Sequence, residues 1–296
     1  MTGYANGYGW AALAGAWRIA FLTGFAPVTG AVLLLAIGRM TGACWRALVP
    51  IARAAPLLVP AGALLGLCQL AVVAPDRLAS WMSWWGVGVR AIAGAALLAF
   101  AAARLRASAS TTFAAIVLAI VAIIVTPIAS DWMLGQVPGH PVSAIGMMLI
   151  VEAVIGATAS LLVAGWGSVQ VRRDMGKLMV AGLLGLAYLA YMDFLIIWFG
   201  NLPIRVGFYV ERTAFPTALL AWGALLAGLP APILALWLIG GERGARLAGG
   251  AALLGLFLFN AWWVGGGPIA LLAGLAATGA IAGAVLRIAR REAAHG

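Results

Sequence analysis

Two carboxylates lie within apolar segments of this chain, where a charged group needs either a functional role or a hydrogen-bonding partner. Glu152 lies about 11 residues after Pro141, near the predicted bilayer centre, and Asp193 lies about 7 residues before Gly200. Acids inside a membrane bundle are costly and commonly form proton relays. We interpret Glu152 and Asp193 as stations of a proton path or ligands of a quinone head group. The structural alternative is a neutral acid hydrogen-bonded to Ser, Thr or Tyr of a neighbouring helix.

A second set of polar residues flanks the short loop at residues 130–141, SDWMLGQVPGHP. Asp131 and His140 could exchange protons near neutral pH, so both are further candidates for the proton path. Together with Trp132 they could also line a pocket for a quinone head group. The alternatives are a cap or salt bridge for Asp131, a hydrated loop histidine for His140, and a place in the interfacial aromatic belt for Trp132.

The sequence offers few groups for covalent or redox chemistry. No nucleophile with a base, no phosphate loop and no close carboxylate pair is evident, so we predict no catalytic residue. The two histidines, His140 and His295, cannot supply the intramembrane pair that a transmembrane haem b usually needs. The two cysteines, Cys44 and Cys68, form no CxxC pair, and no zinc or iron–sulfur ligand set is present. Any electron-carrying metal is therefore expected in another subunit.

The composition is that of a polytopic membrane protein. The chain is 65% hydrophobic and 9% charged, whereas soluble domains carry about 25% charged residues. Its net charge of +10 includes no basic run of the nucleic-acid-binding type. We therefore expect the arginines to set topology and to meet anionic lipid, and we expect no nucleic-acid partner.

Nine apolar segments are long enough to span a bilayer, and no linker divides them, so a single transmembrane domain over residues 1–296 is predicted. The N-terminus lacks the basic start of a signal peptide, so the first helix is expected to remain. The last two segments are separated by residues 264–267 only, which allows a tight hairpin or one re-entrant segment. The predicted segments are 14–38, 54–74, 84–103, 110–130, 142–166, 177–200, 214–239, 245–263 and 268–286.

Basic residues divide unequally between alternate loops. Thirteen lie on the side that includes the C-terminal tail, and five lie on the other side. The positive-inside rule then predicts a cytoplasmic C-terminus and an outer N-terminus, which agrees with an odd number of helices.

The segment at residues 188–212, YLAYMDFLIIWFGNLPIRVGFYVER, is the most specific motif of the chain. It resembles a helix of the F subunit of alternative complex III, within the NrfD-like group of membrane proteins. That family shows Tyr…Phe-hydrophobic-Ile-Ile-Trp, then Gly/Ala-Asn-Leu/Ile-Pro, then an aromatic-Tyr-x-x-Arg end. The matching residues here are Tyr188, Phe194, Ile196, Ile197, Trp198, Gly200, Asn201, Leu202, Pro203, Phe208, Tyr209 and Arg212.

Two weaker matches and several departures accompany this motif. The residues from Asp131 to Gly146 resemble the family's Asp-Trp loop, and Thr41 to Trp45 resembles its Thr-Gly-x-x-Trp loop. Two glutamates usually follow the Asn-Leu-Pro of the family, where this chain has Ile204 and Arg205, and Gln is usual at the position of Asp193. The chain also looks shorter than a typical member.

The resemblance implies two stacked four-helix bundles with a peripheral helix, and a non-haem subunit of a quinol- or cytochrome c-linked respiratory complex in a bacterial inner membrane. It also implies partner subunits: an NrfD-like sister subunit, cytochrome c subunits and a cytochrome oxidase that could associate with them. Haem and iron–sulfur clusters would lie in those partners, and this chain would scaffold the complex and could conduct protons. The alternatives are a quinone-binding membrane anchor and, ranked lower because no internal repeat is evident, a membrane transporter.

Overall fold

The chain is all-α. A computed structural model describes residues 4–69, 84–108, 110–129, 144–200, 203–265 and 267–293, and these residues are 92% helical with no strand among them. The predicted fold class is thereby confirmed. The α-helices are α1 (Tyr4–Thr41), α2 (Val49–Ala52), α3 (Leu58–Gln69), α4 (Trp84–Ser108), α5 (Thr111–Ala129), α6 (Ile145–Ala164), α7 (Val169–Phe199), α8 (Pro203–Thr213), α9 (Thr217–Gly228), α10 (Pro230–Leu234), α11 (Gly241–Val264) and α12 (Gly267–Ala293).

Eight helical segments within the described ranges are long and apolar enough to cross a membrane. The helix α5 adds a shorter apolar segment, so the described helices correspond to the nine that were predicted. Many large apolar side chains on the outer faces of these helices are exposed, including Phe100, Ile123 and Trp222. A lipid environment satisfies such surfaces, and the protein is a multi-pass membrane protein.

Two helices differ from their predicted extents for identifiable reasons. The helix α7 begins at Val169, well before residue 177, because the Ser168 side chain accepts a hydrogen bond from the Val171 N–H and caps its first turn. The predicted helix at residues 214–239 is interrupted at Leu229. Pro230 lacks the N–H that would continue the helix, so α10 begins there and passes into a π-helical turn at Ala235–Ile239.

The helices form two groups of four with one helix outside them. In the first group α1 contacts α3, α4 and α5, and in the second α11 contacts α6, α7 and α9. The helix α1 also contacts α6 and α11, which joins the two groups, and α12 packs against α1 from outside. This arrangement agrees with two four-helix bundles and a peripheral helix.

The central position of α1 follows from its burial. Within its most apolar stretch 89% of the residues are buried, whereas the corresponding value for the span at Thr217–Ile239 is 11%. The helix α1 therefore faces protein on all sides, and the span that includes α9 faces outwards.

Small residues bring α1 and α6 into backbone contact. A Cβ atom at Gly30 would clash with the backbone carbonyl of Ala153, and a Cβ atom at Gly156 would lie 2.9 Å from the backbone nitrogen of Pro27 and 3.1 Å from Ala26. Small residues allow membrane helices to approach this closely, and the gain comes from van der Waals packing. The contact fixes which face of α6 meets α1.

We expect Gly30→Ala to lower the thermal stability of the detergent-solubilised protein. The new methyl group meets backbone rather than a side chain that could rotate away, and overpacking of this kind costs about 1–3 kcal/mol. Gly250→Ala is the matched control, because Gly250 is an exposed helical glycine with open space where the added methyl group would lie. Equal melting temperatures for the two variants would contradict the close contact.

Candidate functional site

The most deeply buried acid of the described chain forms a pair with an amide. Glu152 on α6 is 1% exposed and Asn260 on α11 is fully buried. The Asn260 Nδ2 group donates to Glu152 Oε2 over 2.9 Å and to the Leu256 carbonyl over 3.0 Å. The pair therefore links the two helices that hold the second bundle together.

The pair lies nearer to one end of the helices than the sequence suggested. Because α6 begins at Ile145, Glu152 lies about 7 residues, or ~10 Å, from its N-terminal end. Asn260 lies about 4 residues, or ~6 Å, before Val264, where α11 ends. Glu152 therefore lies about one third of the way along α6.

Both members of the pair retain an acceptor without a partner. Glu152 Oε1 and Asn260 Oδ1 are buried and accept no hydrogen bond from any described residue. An ionised carboxylate offers acceptors only, whereas a protonated carboxyl group offers one donor. A proton on Glu152 would remove the buried negative charge and convert one acceptor oxygen into a donor, and burying a charge or an unpartnered polar atom is costly.

An apolar cavity of about 80 Å³ adjoins Glu152 within the first bundle. Phe21, Phe25 and Thr29 of α1 line it, together with apolar residues of α3, α4, α5 and α6. A water molecule needs about 10–15 Å³ of such space together with polar partners, and Thr29 and Glu152 are the polar residues of the lining. Pockets for larger organic ligands measure about 300–1,000 Å³, so this one is too small for a quinone head group with its tail.

Asp193 has a different partner. It lies on α7, is 9% exposed, and its Oδ2 atom accepts a hydrogen bond of 2.5 Å from the Tyr209 hydroxyl on α8. Burial, and then the hydrogen bond to Asp193, raise the pKa of the Tyr209 hydroxyl, so it remains a protonated donor throughout the physiological range. This geometry is that of the structural alternative, an acid held by a tyrosine of a neighbouring helix.

The two acids are well separated. Gly185 and Gly182 of α7 pack against Val151 and Ile155 of α6, so these helices are antiparallel. Asp193 is about 8 residues beyond Gly185, which places it ~12 Å from the level of Glu152 along the bundle. A proton transfers directly only over hydrogen-bond distances of about 3 Å, so no proton passes directly between the two carboxyl groups.

The end of the 188–212 segment holds α8 onto the last turn of α11. Arg212 donates to the Trp262 carbonyl over 3.2 Å and to the Trp263 carbonyl over 3.1 Å. These carbonyls belong to the helix C-terminus, where a cation is favourable. The Arg212 guanidinium also lies 3.9 Å from the centre of the Phe208 ring. Burial lowers the pKa of Arg212, which nevertheless remains charged because arginine starts far above neutrality.

Aromatic rings surround this anchor. The Tyr209 ring lies edge-on to Phe194 with centroids 5.3 Å apart, and Phe208 lies edge-on to Trp262 at 5.8 Å. Such edge-to-face pairs stabilise a cluster beyond the area that they bury. The motif residues described here therefore pack α7, α8 and α11 together.

Sequence reasoning missed Asn260 and the anchoring contact of Arg212. Asn260 interrupts the apolar run LFLFNAWWV, which was a usable signal, because a polar residue at that depth needs a partner. The predicted residues Asp131, Trp132 and His140 lie outside the described residues. In the described ranges, no three His, Cys, Asp or Glu side chains come together as a metal-ligand set.

A scan against protein-family models gives no match, and a search of the curated proteins finds no protein similar to this chain.

We expect Tyr209→Phe to destabilise the protein by about 1–3 kcal/mol, because it removes a donor from a buried carboxylate. Tyr188→Phe is the control, since Tyr188 lies on α7 with 61% of its surface exposed. Thermal unfolding of both variants provides the measurement. The raised pKa predicts that the wild-type advantage persists at neutral pH and declines only above pH of about 10, where the tyrosine of the unfolded chain ionises.

A double-mutant cycle that adds Asp193→Leu separates this bond from general packing, because leucine has a similar size and accepts no hydrogen bond. The coupling between positions 193 and 209 should be of the same order as the single loss. Additive effects would show that the hydroxyl and the carboxylate do not interact.

Proposed function

We propose that this protein is a non-haem membrane subunit in which Glu152 holds and transfers a proton. The observation that carries the proposal is the buried Glu152–Asn260 pair, with one unpartnered acceptor on each member, beside a cavity of a size for water. Such a carboxyl group can bind a proton at low electrostatic cost and release it when water or a partner acid approaches.

The respiratory setting is a proposal that rests on the resemblance of the 188–212 segment to alternative complex III. We propose that the chain scaffolds a quinol- or cytochrome c-linked complex in a bacterial inner membrane, where partner subunits carry haem and iron–sulfur clusters. The packing of α7, α8 and α11 around Arg212 supports a scaffolding role, since Arg212 ties α8 to the last turn of α11. The excess of basic residues supports a cytoplasmic C-terminus and an outer N-terminus.

The alternatives find less support in the described residues. The cavity beside Glu152 is small for a quinone, and the proposed quinone ligands Asp131, Trp132 and His140 belong to a loop outside the described ranges. A transporter would be favoured by polar groups at a broken helix. The cavity beside the break at Leu229 is about 270 Å³ and is lined mainly by aliphatic and aromatic side chains, which suits a lipid chain better than an ion.

Infrared difference spectroscopy tests whether Glu152 holds a proton. At neutral pH the wild-type protein should show the carbonyl stretch of a protonated carboxyl group, and Glu152→Gln should lack it. Glu211→Gln is the matched control, because Glu211 is an exposed glutamate on α8 and its replacement should leave the band in place. An identical spectrum for wild type and Glu152→Gln would contradict the proposal that Glu152 holds a proton.

A second measurement distinguishes a Glu152 side chain that only holds a proton from one that conducts protons. In liposomes under an imposed potential, proton uptake through the wild-type protein should exceed that of Glu152→Gln, and Glu211→Gln should behave as wild type. Uptake that is equal in all three would leave Glu152 a structural acid even if its carboxyl band is present.

Purification from native membrane tests the respiratory setting independently. We expect cytochrome-containing subunits to copurify with the chain and to give a haem absorption spectrum, because this chain supplies no haem ligand pair of its own. Mild detergent and crosslinking before extraction guard against dissociation. Recovery of an isolated chain without cytochromes under both conditions would contradict this part of the proposal and leave the Glu152 proposal untouched.

A further inference from the structure

A groove on the surface of the second bundle changes from basic to apolar along its length. It measures about 820 Å³ and lies between the first turns of α7 and the segment where the π-helical turn at Ala235–Ile239 leads into α11. Pockets that hold organic ligands measure about 300–1,000 Å³, so the groove has room for a large part of an amphiphile. It opens outwards, since Arg173, Lys177 and Leu184 of its lining are exposed.

One face of α7 forms a wall of this groove. Arg173, Lys177, Val180 and Leu184 line it at successive intervals of four, three and four residues, so they follow one stripe of the helix. Arg172 lies beside the basic end of this stripe and lines the groove as well. From Lys177 to Leu184 the helix rises by ~10 Å. The groove therefore has a cationic end and, about one acyl-chain segment further along, an aliphatic end.

The opposite wall adds apolar surface at the aliphatic end. A Cβ atom at Gly176 would lie 3.8 Å from Cδ1 of Leu236, which is ordinary van der Waals contact. Leu236 belongs to the π-helical turn and therefore packs beside the backbone of α7 within the groove.

The change in polarity coincides with the level expected for the membrane surface. The helix α7 has 31 residues and is ~46 Å long, whereas the hydrocarbon core of a bilayer is ~30 Å thick. The stretch from Val180 to Phe199 is about 20 residues, or ~30 Å, and is sufficient to cross that core. Arg172, Arg173 and Lys177 then lie at the level of the lipid head groups, on the side predicted to face the cytoplasm.

Two charged side chains of the lining have partners within the protein. Arg172 Nη1 donates to the carbonyls of Gly165 and Gly167 over 3.2 Å and 2.6 Å, which holds the guanidinium in place without neutralising its charge. Glu242, the acidic residue of the lining, accepts a hydrogen bond of 2.6 Å from Arg246. The acid of the groove is thus matched by an arginine that lies outside the lining.

The other two cations of the groove, Arg173 and Lys177, are accessible to a ligand. Both are exposed, and within the described part of the chain neither forms a hydrogen bond or an ion pair. The nearest acid in sequence, Asp174, lies outside the lining and accepts a hydrogen bond of 3.0 Å from Gln170. Even when both acids are counted, the four basic side chains at the groove outnumber them by two.

We propose that this groove binds an anionic phospholipid, with the phosphate at Arg173 and Lys177 and one acyl chain along Val180, Leu184 and Leu236. Arginine and lysine both bind phosphate oxygens, and basic pockets between membrane helices on the cytoplasmic side suit anionic head groups. The aliphatic end of the groove favours a lipid over free phosphate, because an inorganic ion gains nothing from it. This site is separate from Glu152, and its test does not depend on proton transfer.

Lys177 provides a direct test because it is the only lysine of the chain. An amine-reactive acylating reagent modifies Lys177 and the N-terminal amine, and peptide mass spectrometry separates the two. In detergent, phosphatidylglycerol at about ten times its Kd should slow the modification of Lys177 in the wild-type protein by ~10-fold, since only the free site reacts. Phosphatidylcholine should slow it much less, and the N-terminal amine is the internal control, whose rate should not change.

Two pairs of variants test the two ends of the groove with the same measurement. Arg173→Gln should weaken the protection by phosphatidylglycerol, and Leu184→Asn should do so through the acyl chain. Arg287→Gln and Leu272→Asn are the matched controls, because both residues are exposed on α12 and lie outside the groove. They should keep the wild-type protection.

Inorganic phosphate and a short-chain lipid distinguish the possible ligands. Dihexanoyl phosphatidylglycerol should protect Lys177 less than the long-chain lipid at equal concentration, and millimolar phosphate should protect it least. Phosphate that protects as well as the long-chain lipid would show a site for free phosphate and would overturn the lipid proposal. Equal protection by phosphatidylglycerol and phosphatidylcholine, no protection by either, or protection that survives in both Arg173→Gln and Leu184→Asn would also overturn it.

Discussion

The close contact between α1 and α6 is the constraint on which the rest of the structure depends. Gly30 and Gly156 let the two backbones meet, and this contact joins the four-helix groups that the other helices complete. Between membrane helices the hydrophobic effect contributes little, because lipid is as apolar as the helix surface, so packing of this kind must hold the bundles together. It also fixes the rotation of α6. With one face against α1, α6 directs Glu152 towards Asn260 on α11 and towards the cavity of the first bundle.

Polar groups inside the bundle follow a second constraint, since lipid offers them no hydrogen bonds. Glu152 and Asp193 each accept a hydrogen bond from a different helix, so each pair also ties two helices together. The two pairs differ in the hydrogen-bonding capacity that their side chains leave unused. Tyr209 can give its only proton to Asp193, and burial keeps that proton in place. Asn260 gives an N–H to Glu152, and one buried oxygen on each partner accepts no hydrogen bond from a described residue. This difference is why Glu152 carries the functional proposal and Asp193 does not.

The sequence was sufficient for the fold class and the number of helices, because about 20 consecutive apolar residues have few other structural solutions. It was insufficient for contacts between helices. A helix such as α6, apolar on all faces, has no amphipathic stripe to show which side meets a neighbour. The partnership of Glu152 with Asn260, 108 residues apart, therefore depended on the packing of α6 against α11. The interruption at Leu229 was readable in principle from Pro230, whereas the early start of α7 was hidden by charged residues that hydropathy assigns to a loop.

The two ends of the protein differ in the sign of the charge that must be compensated. At one end, the carbonyls that conclude α11 carry partial negative charge, and Arg212 neutralises them within a cluster of aromatic rings. At the other end, Arg39, Arg46, Arg53 and Arg106 line one pocket where α1 ends. A folded protein retains such a concentration of like charge only where solvent, lipid or its own carboxylates supply counter-charge. Solvent ions screen the exposed Arg39 and Arg46 more effectively than the half-buried Arg53 and Arg106, so water contributes unequally to the balance of charge within this one pocket.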